Sequence, residues 1–330
     1  MDASPVRYLS AADVTEAMPP IAERLALAER TLIALVADAE LPPKIGVHPR
    51  ATGSFAHAMP AVLRGPGGAD LLGIKWVAGF PDNRTSGLPA ISAVVILNDA
   101  ATGRPRAILD GGPITAERTA AVSGVALARF GPGELGRPPR AAIVGAGVQG
   151  HSHLEVVGHV LPGVELAVFD RHPERASELA AAARATPGIA AAEASATARD
   201  ATSGADIVIT AASFTAPERR QSMTGEWLAA DALLIPVDYA TMCSAEVARE
   251  AALFLVDERG QFIANREAGQ FDGYPDPHAT LGEAILAGTD RPSSGRVVVT
   301  HLGVGLADVI FADAILLRAE SAGLGTLLGG

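Results

Sequence analysis

Cysteine is nearly absent from this sequence, and the single Cys243 excludes an intramolecular disulfide and a zinc site built on cysteines. No HExxH motif and no cluster of Cys and His occurs, so no metal site is expected. Long apolar runs are also missing, because no stretch reaches the roughly 18 residues that a membrane-spanning helix needs. The first ten residues lack the basic start and apolar run of a signal peptide, so we expect a cytoplasmic protein.

Positive charge is scarce as well. The 26 basic residues face 37 acidic ones, which gives a net charge of −11, and no basic patch is visible. Nucleic acids and anionic membranes are therefore poor candidate partners. Lysine occurs only at Lys44 and Lys75. A chain that covers its surface with arginine is expected to keep lysine for places that need a compact ammonium group.

What the chain has in quantity is length and small apolar side chains. Its 330 residues, 48% of them hydrophobic, are enough for two domains with large cores. Aromatic residues make up only 4%, while alanine and glycine are abundant, which suits close packing of helices on a sheet.

The first part of the chain predicts an α+β domain. Ser10 and Asp13 form a capping-box pattern, and a helix with one apolar face follows Pro20. Tight reversals between the strands that come next predict antiparallel pairing. Thr115 is the expected N-cap of a helix that runs to about Phe130. The expected strands are 45–47, 55–63, 71–77, 91–97 and 107–109.

The second part predicts a parallel sheet with helices on both faces. A segment rich in Gly and Pro, 131–140, marks a boundary, and strands then alternate with helices. The last helix, from about 306 to 322, is expected to return to the first domain. The expected fold class is α/β, with a Rossmann-type parallel sheet domain over 116–311 that follows the α+β domain.

A dinucleotide-binding motif opens the second part. An apolar strand is followed by Gly145-Ala-Gly147-Val-Gln-Gly150 and a helix. Gly145 permits the tight turn, Gly147 lets the backbone approach a pyrophosphate, and Gly150 lets the helix pack closely on the strand. The first turn of the helix, with Val148 and Gln149, directs its N–H groups at the phosphates.

An acidic residue of the next strand indicates which dinucleotide is bound. Asp170 ends the strand that starts near Leu166, about 20 residues after the last glycine, where a ribose diol is recognised. Its carboxylate would repel a 2′-phosphate, which favours NAD. The guanidinium of Arg171 is suited to hold such a phosphate, so NADP stays open.

Five blocks in order, PPKIGVHPR, AMPA, GIKWVAGFPDN, LDGGPITAERTAA and VGAGVQG, resemble the ornithine cyclodeaminase/mu-crystallin family. They cover Pro42 to Gly150. The resemblance implies that the α+β domain is discontinuous, over 1–115 and about 312–330, that it binds the substrate, and that it forms a homodimer. It also implies one of several activities, which include cyclodeaminases, ketimine and imino-acid reductases, alanine dehydrogenases and a vertebrate hormone-binding protein.

Two cations are the main candidates for holding a substrate carboxylate. Lys75 lies in an apolar strand, where its charge needs a partner, and Arg118 lies in the expected first turn of the Thr115 helix, where a cation indicates a nearby anion. The resemblance implies that both residues bind the substrate carboxylate. The alternatives are a lysine that guards an edge strand, and a surface arginine paired with Glu117 or Asp110.

Other candidates depend more on the resemblance. Lys44 stands where many family members have arginine, and it resembles a third residue that binds the substrate carboxylate. Asp238 follows a buried strand, and the resemblance implies that it handles the substrate nitrogen; the alternative is a turn aspartate. His57 stands where cyclodeaminases carry a glutamate for the distal amine, or it is a strand residue bonded to backbone. Asp308, in the last helix, is expected to be solvated.

The expected function is hydride transfer at the α-carbon of a small amino or imino acid, by an NAD(P)-dependent reductase or dehydrogenase. Lys75, Arg118 and Asp238 are its expected catalytic residues. One alternative is an ornithine cyclodeaminase-type lyase that releases proline and ammonia. A second is a small-molecule binder without activity.

Overall fold

A computed structural model describes residues 5–329, which form two compact units. The first unit contains the chain up to Arg118 and again from Gly303, and the second contains Thr119–Leu302. The second boundary lies earlier than the expected 311/312, because the last helix packs along its length on strands of the first unit. The first boundary lies three residues later than expected.

The helices and strands follow one another in chain order. Residues 6–130 form β1 (Val6–Leu9), α1 (Ala11–Glu16), α2 (Ile21–Ala37), β2 (Ala39–Glu40), β3 (Ile45–Val47), β4 (Phe55–Leu63), β5 (Leu71–Gly79), β6 (Ile91–Asn98), β7 (Pro105–Asp110) and α3 (Gly111–Phe130). Residues 140–300 form β8 (Arg140–Val144), α4 (Val148–Val160), β9 (Val164–Phe169), α5 (Pro173–Arg184), β10 (Ile189–Ala194), α6 (Ala198–Thr202), β11 (Ile207–Thr210), β12 (Leu233–Pro236), α7 (Ala245–Arg249), β13 (Leu253–Val256), α8 (Arg259–Glu267), β14 (Ala279–Thr280), α9 (Leu281–Leu286) and β15 (Val297–Thr300). The chain ends with α10 (Gly305–Ala322) and β16 (Thr326–Leu328).

The first unit is built on a mixed sheet in the order β16-β1-β7-β6-β5-β4-β2, with β3 paired to β4. Only β1 and β7 run parallel; the other recorded pairs are antiparallel, as the tight reversals predict. Helix α10 contacts β4, β5, β6 and α2. Side chains alternate along β5 and β6, so one face is buried and the other is more exposed.

Helix α3 begins earlier than the sequence predicts. The capping interaction comes from Asp110, whose Oδ1 accepts a hydrogen bond from Gly112 N at 2.8 Å, and the helix starts at Gly111. Thr115 is therefore not an N-cap; its hydroxyl donates to the Gly111 carbonyl from inside the helix. Proline is tolerated in a first turn, so Pro113 does not delay the start. Arg118 consequently lies two turns into the helix, and the expectation of a first-turn cation is wrong.

The second unit has the fold expected from strand–helix alternation. Its sheet has the order β10-β9-β8-β11-β12-β15-β13-β14, and every recorded pair in it is parallel. Strands β8, β11, β12 and β15 are almost wholly buried, as parallel strands covered on both faces must be. The α/β class is confirmed. Within 5–329, no helix is both long enough and apolar enough to cross a membrane.

Candidate active site

A buried ion triad occupies the helix-covered face of the first unit's sheet. Lys75 is 1% exposed and lies on β5, between β4 and β6, so it does not guard an edge strand. Its Nζ lies 2.7 Å from Asp308 Oδ2, and the Nε of Arg118 lies 3.2 Å from Asp308 Oδ1. Two cations thus share one carboxylate, and the triad keeps a net positive charge.

Burial lowers the pKa of Lys75 to about 7, although Asp308 raises it. The neighbouring Arg118 lowers the pKa further. Near neutral pH the ammonium is therefore close to giving up its proton. An anion placed beside it would favour the charged form, so the triad is suited to bind a carboxylate.

Asp308 contradicts the expectation of a solvated helix residue. It is 0% exposed and lies in the first turn of α10, where a negative charge is favoured by the helix dipole. The start of α10 reaches the triad because Gly305 has no side chain, and a Cβ there would overlap the Met59 carbonyl. Gly303, with φ +76°, similarly leaves room for the guanidinium of Arg118.

His57 lies on β4, the strand beside the one that carries Lys75, and Lys44 directly precedes β3. His57 is half-buried on β4, and its ring stacks on Phe55 with 4.6 Å between ring centroids. Burial, followed by the charges of Lys44, His48 and Lys75, lowers the pKa of His57 to about 4, so its ring is neutral at pH 7. The first unit therefore gathers further basic groups beside Lys75.

In the second unit, the motif glycines form the turn between β8 and α4. Gly145 has φ +112°, and a Cβ there would overlap the Ala211 carbonyl. A Cβ on Gly150 would overlap the Gly145 carbonyl. Gly147, the N-cap of α4, has nothing within 4 Å of its Cβ position. Gly145 and Gly150 are therefore needed for close packing, whereas Gly147 leaves open space where a pyrophosphate would lie.

Side chains around this turn suit a dinucleotide. Val148 is 71% exposed at the first position of α4, next to the partly exposed Gln149. Asp170 lies just after β9; its Oδ2 accepts from Ala146 N at 2.8 Å and its Oδ1 from His172 N at 2.9 Å. Arg171 is exposed, and its Nε lies 3.2 Å from His172 Nε2. The turn and the acidic residue are thus held together by backbone hydrogen bonds.

A buried carboxylate follows β12 at the carboxyl edge of the parallel sheet. Asp238 is 2% exposed; its Oδ1 accepts from Thr210 Oγ1 at 2.8 Å and its Oδ2 from Ala212 N at 3.0 Å. Burial raises the pKa of Asp238 to about 7, and these hydrogen bonds oppose the rise. Such a group can both give and accept a proton at neutral pH.

A chain of hydrogen bonds joins the end of β15 to the first turn of α4. His301 Nε2 lies 2.9 Å from Ser123 Oγ, which lies 2.8 Å from His153 Nε2. The other ring nitrogen of His153, Nδ1, lies 2.6 Å from the Gln149 carbonyl, which can only accept, so Nδ1 carries the proton. Burial lowers the pKa of His153 to about 4, so its Nε2 is bare. Ser123 therefore donates to His153 and accepts from His301.

Residues 7–322 match the sequence model of one protein family, the ornithine cyclodeaminase/mu-crystallin family. The chain belongs to this family. The resemblance that five sequence blocks indicate is confirmed.

Several members of the ornithine cyclodeaminase/mu-crystallin family are similar over nearly the whole chain. The nodulation efficiency protein NfeD of Rhizobium meliloti is 34% identical, over 98% of this chain and 99% of its own. The Δ(1)-pyrroline-2-carboxylate reductase of Thermococcus litoralis, solved with NADH and L-proline, is 27% identical, with a TM-score of 0.83 over 97% of this chain and 99% of its own. An archaeal alanine dehydrogenase dimer with bound NAD is 25% identical, with a TM-score of 0.83 over 98% of both chains.

In this family member, the predicted site residues lie together within each unit. The first unit brings Lys75 and Arg118 onto one carboxylate, with Lys44 and His57 near by. The second unit places Asp238 on the same sheet edge as the glycine turn. Sequence reasoning missed Asp308 as the shared partner and Ser123 as the centre of a polar chain. The sequence did signal a partner such as Asp308, because the charge of Lys75 needs one. No feature of the sequence pointed to Ser123.

Proposed function

We propose that this protein is an NAD-dependent enzyme that reduces the imine of a small α-imino acid, or oxidises the corresponding amino acid. The observation that carries the proposal is the buried Lys75–Asp308–Arg118 triad, which has one positive charge in excess when Lys75 is protonated. Similarity to a reductase solved with NADH and L-proline and to a dehydrogenase solved with NAD supports the reaction class and the cofactor.

Lys75 and Arg118 are proposed to bind the substrate carboxylate and so to orient the attached carbon. The fork of Arg118 suits two parallel hydrogen bonds to a carboxylate. Asp308 keeps both cations in place, because each side chain already bonds to one of its oxygens.

Asp238 is proposed to supply the proton that the imine nitrogen takes up. Near pH 7 part of the Asp238 population is protonated, because burial raises its pKa to about 7. Thr210 and Ala212 fix the carboxyl group in one orientation. A nicotinamide cofactor, when bound, supplies the hydride. Gly147, Val148 and Gln149 would hold its pyrophosphate in the turn that Gly145 and Gly150 shape, and Asp170 would hold the ribose, which favours NAD over NADP despite Arg171.

The test supplies the purified protein with NADH and Δ(1)-pyrroline-2-carboxylate, or with NADH, pyruvate and ammonia, and follows loss of NADH absorbance. In parallel, L-ornithine and NAD are supplied, and proline and ammonia are measured. We expect NADH loss with an imine. Proline and ammonia without net NADH would instead indicate a cyclodeaminase. NADH binding without turnover of any amine or imine would indicate a binding protein.

A matched variant tests the role of Arg118 separately from folding. Arg118→Lys keeps the charge but loses the fork, so the KM for the imino acid should rise about tenfold, the size of one lost charge-assisted hydrogen bond. The Kd for NADH should stay unchanged, since the glycine turn is intact. An unchanged KM would contradict carboxylate binding at this position.

We also propose a homodimer formed through the open face of the first unit's sheet. Trp76 is 44% exposed, and opposite it on the same face lies Val94; Ile74, Ile96 and Ile108 form the next row. An apolar sheet face of this kind favours a partner surface. Trp76→Glu should shift the mass measured by light scattering toward the monomer, whereas Leu286→Glu, in an exposed position of the second unit, should not. A monomeric unmodified protein would refute the proposal.

A further inference from the structure

Three buried side chains of the second unit, His301, Ser123 and His153, form one hydrogen-bonded row, the His–Ser–His chain. The row begins directly after β15, passes through α3 and ends on α4. A buried polar network is costly unless all its members are hydrogen-bonded, and an apolar core of the same shape would avoid that cost. The row takes no part in the proposed proton transfer, so its presence indicates another role.

Every donor of the His–Ser–His chain points the same way. The Gln149 carbonyl can only accept, so Nδ1 of His153, 2.6 Å away, carries the proton. Burial lowers the pKa of His153 to about 4, so the ring is neutral at pH 7 and its Nε2 accepts from Ser123 at 2.8 Å. Nε2 of His301, 2.9 Å from Ser123 Oγ, then donates to Ser123. The N–H and O–H dipoles therefore run head to tail from His301 to Gln149.

The last acceptor of the chain belongs to the first turn of α4. The carbonyl of Gln149 and the N–H of Gly150 are the two ends of one planar peptide group. The bond from His151 N to the Gly147 carbonyl, at 3.1 Å, closes the first turn, and the N–H of Gly150 lies before it. N–H groups at such positions find no acceptor inside their own helix and are suited to bind an anion. The Gly150 N–H thus continues the row of donors toward the nucleotide turn.

Hydrogen bonds that run head to tail strengthen one another. A donor on a peptide carbonyl draws electron density toward the oxygen, which leaves the N–H of the same peptide group more positive. The gain is about 10–30% per bond, and it is best preserved in a buried row that water does not reach. The Gln149 carbonyl also accepts from Ser152 Oγ at 3.2 Å. The N–H of Gly150 is therefore a stronger donor to an anion than an ordinary N–H of a first turn.

We propose that the His–Ser–His chain strengthens the binding of the dinucleotide pyrophosphate by polarising the N–H of Gly150. His301, Ser123 and His153 are positioning residues, because they act through the peptide group between Gln149 and Gly150. This inference rests on the proposed function, because the pyrophosphate is the anion that the glycine turn is proposed to hold. It extends the cofactor site to residues that lie outside the glycine motif.

Two competing ligands separate the pyrophosphate from the rest of the dinucleotide. ADP-ribose carries the pyrophosphate, whereas adenosine has the same base and ribose without phosphate; each displaces NADH in a fluorescence titration that gives its Kd. Ser123→Ala interrupts the chain and should raise the Kd for ADP-ribose about three- to fivefold, because a gain of about 10–30% is lost at each of several bonds. The Kd for adenosine should stay unchanged. A general loosening of the fold would instead weaken both ligands alike.

A matched pair of variants at His301 distinguishes the hydrogen bond from the shape of the side chain. His301→Gln keeps an N–H donor that can reach Ser123, so its Kd for ADP-ribose should stay within about twofold of the unmodified value. His301→Leu fills similar space without a donor and should resemble Ser123→Ala. His159→Gln, at an exposed histidine of α4, is the control and should change neither Kd.

The direction of the chain is measured on the unmodified protein. NMR of protein with 15N-labelled histidine distinguishes the two neutral tautomers, and we expect the proton on Nδ1 of His153 and on Nε2 of His301. The opposite tautomer of His153 would reverse the chain and overturn the inference.

The binding experiments have outcomes that separate this inference from the proposed function. An unchanged Kd for ADP-ribose in Ser123→Ala, or an equal loss for adenosine, would overturn the inference and leave the proposed function standing. Equal weakening in His301→Gln and His301→Leu would also overturn it. If the unmodified protein bound ADP-ribose no more tightly than adenosine, the proposed place of the pyrophosphate itself would be contradicted.

Discussion

Replacing Asp308 by asparagine tests the triad most directly, because it removes one charge and keeps the shape of the side chain. Asp308 is fully buried and bonds to Lys75 at 2.7 Å and to Arg118 at 3.2 Å. Breaking a buried ion pair by removing one partner typically costs about 3–5 kcal/mol, because the remaining charge stays buried without compensation. Here, however, Lys75 can reduce the cost by losing its proton.

The size of the loss therefore depends on pH. Burial holds the pKa of Lys75 at about 7 even with Asp308 present, against an ordinary value of 10.5. Between about pH 7 and pH 10.5, Lys75 therefore binds more protons in the unfolded chain than in the folded protein, and the free energy of unfolding rises with pH. Asp308 raises the pKa of Lys75, so its removal lowers the pKa and extends the window below pH 7.

At pH 8, Lys75 is mostly neutral with or without Asp308, and the variant should lose about 1–3 kcal/mol, mainly from the Arg118 hydrogen bond. At pH 6 the loss should approach the about 3–5 kcal/mol of a broken buried pair. Urea unfolding followed by tryptophan fluorescence at both pH values measures the difference. Asp313→Asn, which removes a half-exposed pair with Arg106 at 3.3 Å, is the control and should cost less than about 1 kcal/mol. A loss that is equal at both pH values, or larger at pH 8, would refute the reasoning.

Four further predictions concern the rest of the site and the hydrogen bonds around it. Asp238→Asn keeps the hydrogen-bonding shape but cannot transfer a proton, so kcat should fall about 10²- to 10⁴-fold with an unchanged Kd for NADH; a normal kcat would remove Asp238 from the reaction. The reductive kcat/KM should decline above about pH 7, because the pKa values of Asp238 and Lys75 are both about 7 and both groups act in their protonated forms; a flat profile to pH 9 would contradict this. Gly147→Ala should leave the Tm unchanged and weaken NADH binding at least about tenfold. Gly145→Ala should lower the Tm, because Gly145, unlike Gly147, has φ above zero and a carbonyl against its Cβ position. Ser123→Ala should cost about 1–3 kcal/mol of stability, since two buried imidazoles lose their common partner; calorimetry that shows no change would argue against the assigned hydrogen bonds.

Local patterns predicted most of the fold. The apolar strand around Lys75 predicted that its charge needs a partner, and the apolar strand followed by three spaced glycines predicted the turn between β8 and α4. These features succeed because they depend on residues close together in the chain. The expected start of α3 was wrong, because Asp110 caps the helix through Gly112, whereas Thr115 was the expected cap.

The candidate site was predicted less completely, because its partners are far apart in sequence. Lys75 and Asp308 are separated by most of the chain, and Ser123 joins two histidines from different elements. The sequence indicated that a buried lysine needs an anion, yet several acidic residues were available. The roles of Lys44, His57 and the cofactor-binding residues stay predictions.

The sequence by itself determined the class of the fold and the dinucleotide motif, because periodicity and spacing are properties of neighbouring residues, and its five ordered blocks indicated the family. Only the tertiary structure decided which charges meet. Asp308 becomes buried and shared between two cations because α10 returns to the first unit's sheet and its glycines allow close approach. The return of the last helix was expected from the sequence, but the contact of Asp308 with both cations depends on how α10 packs on the sheet, and no local pattern encodes that contact.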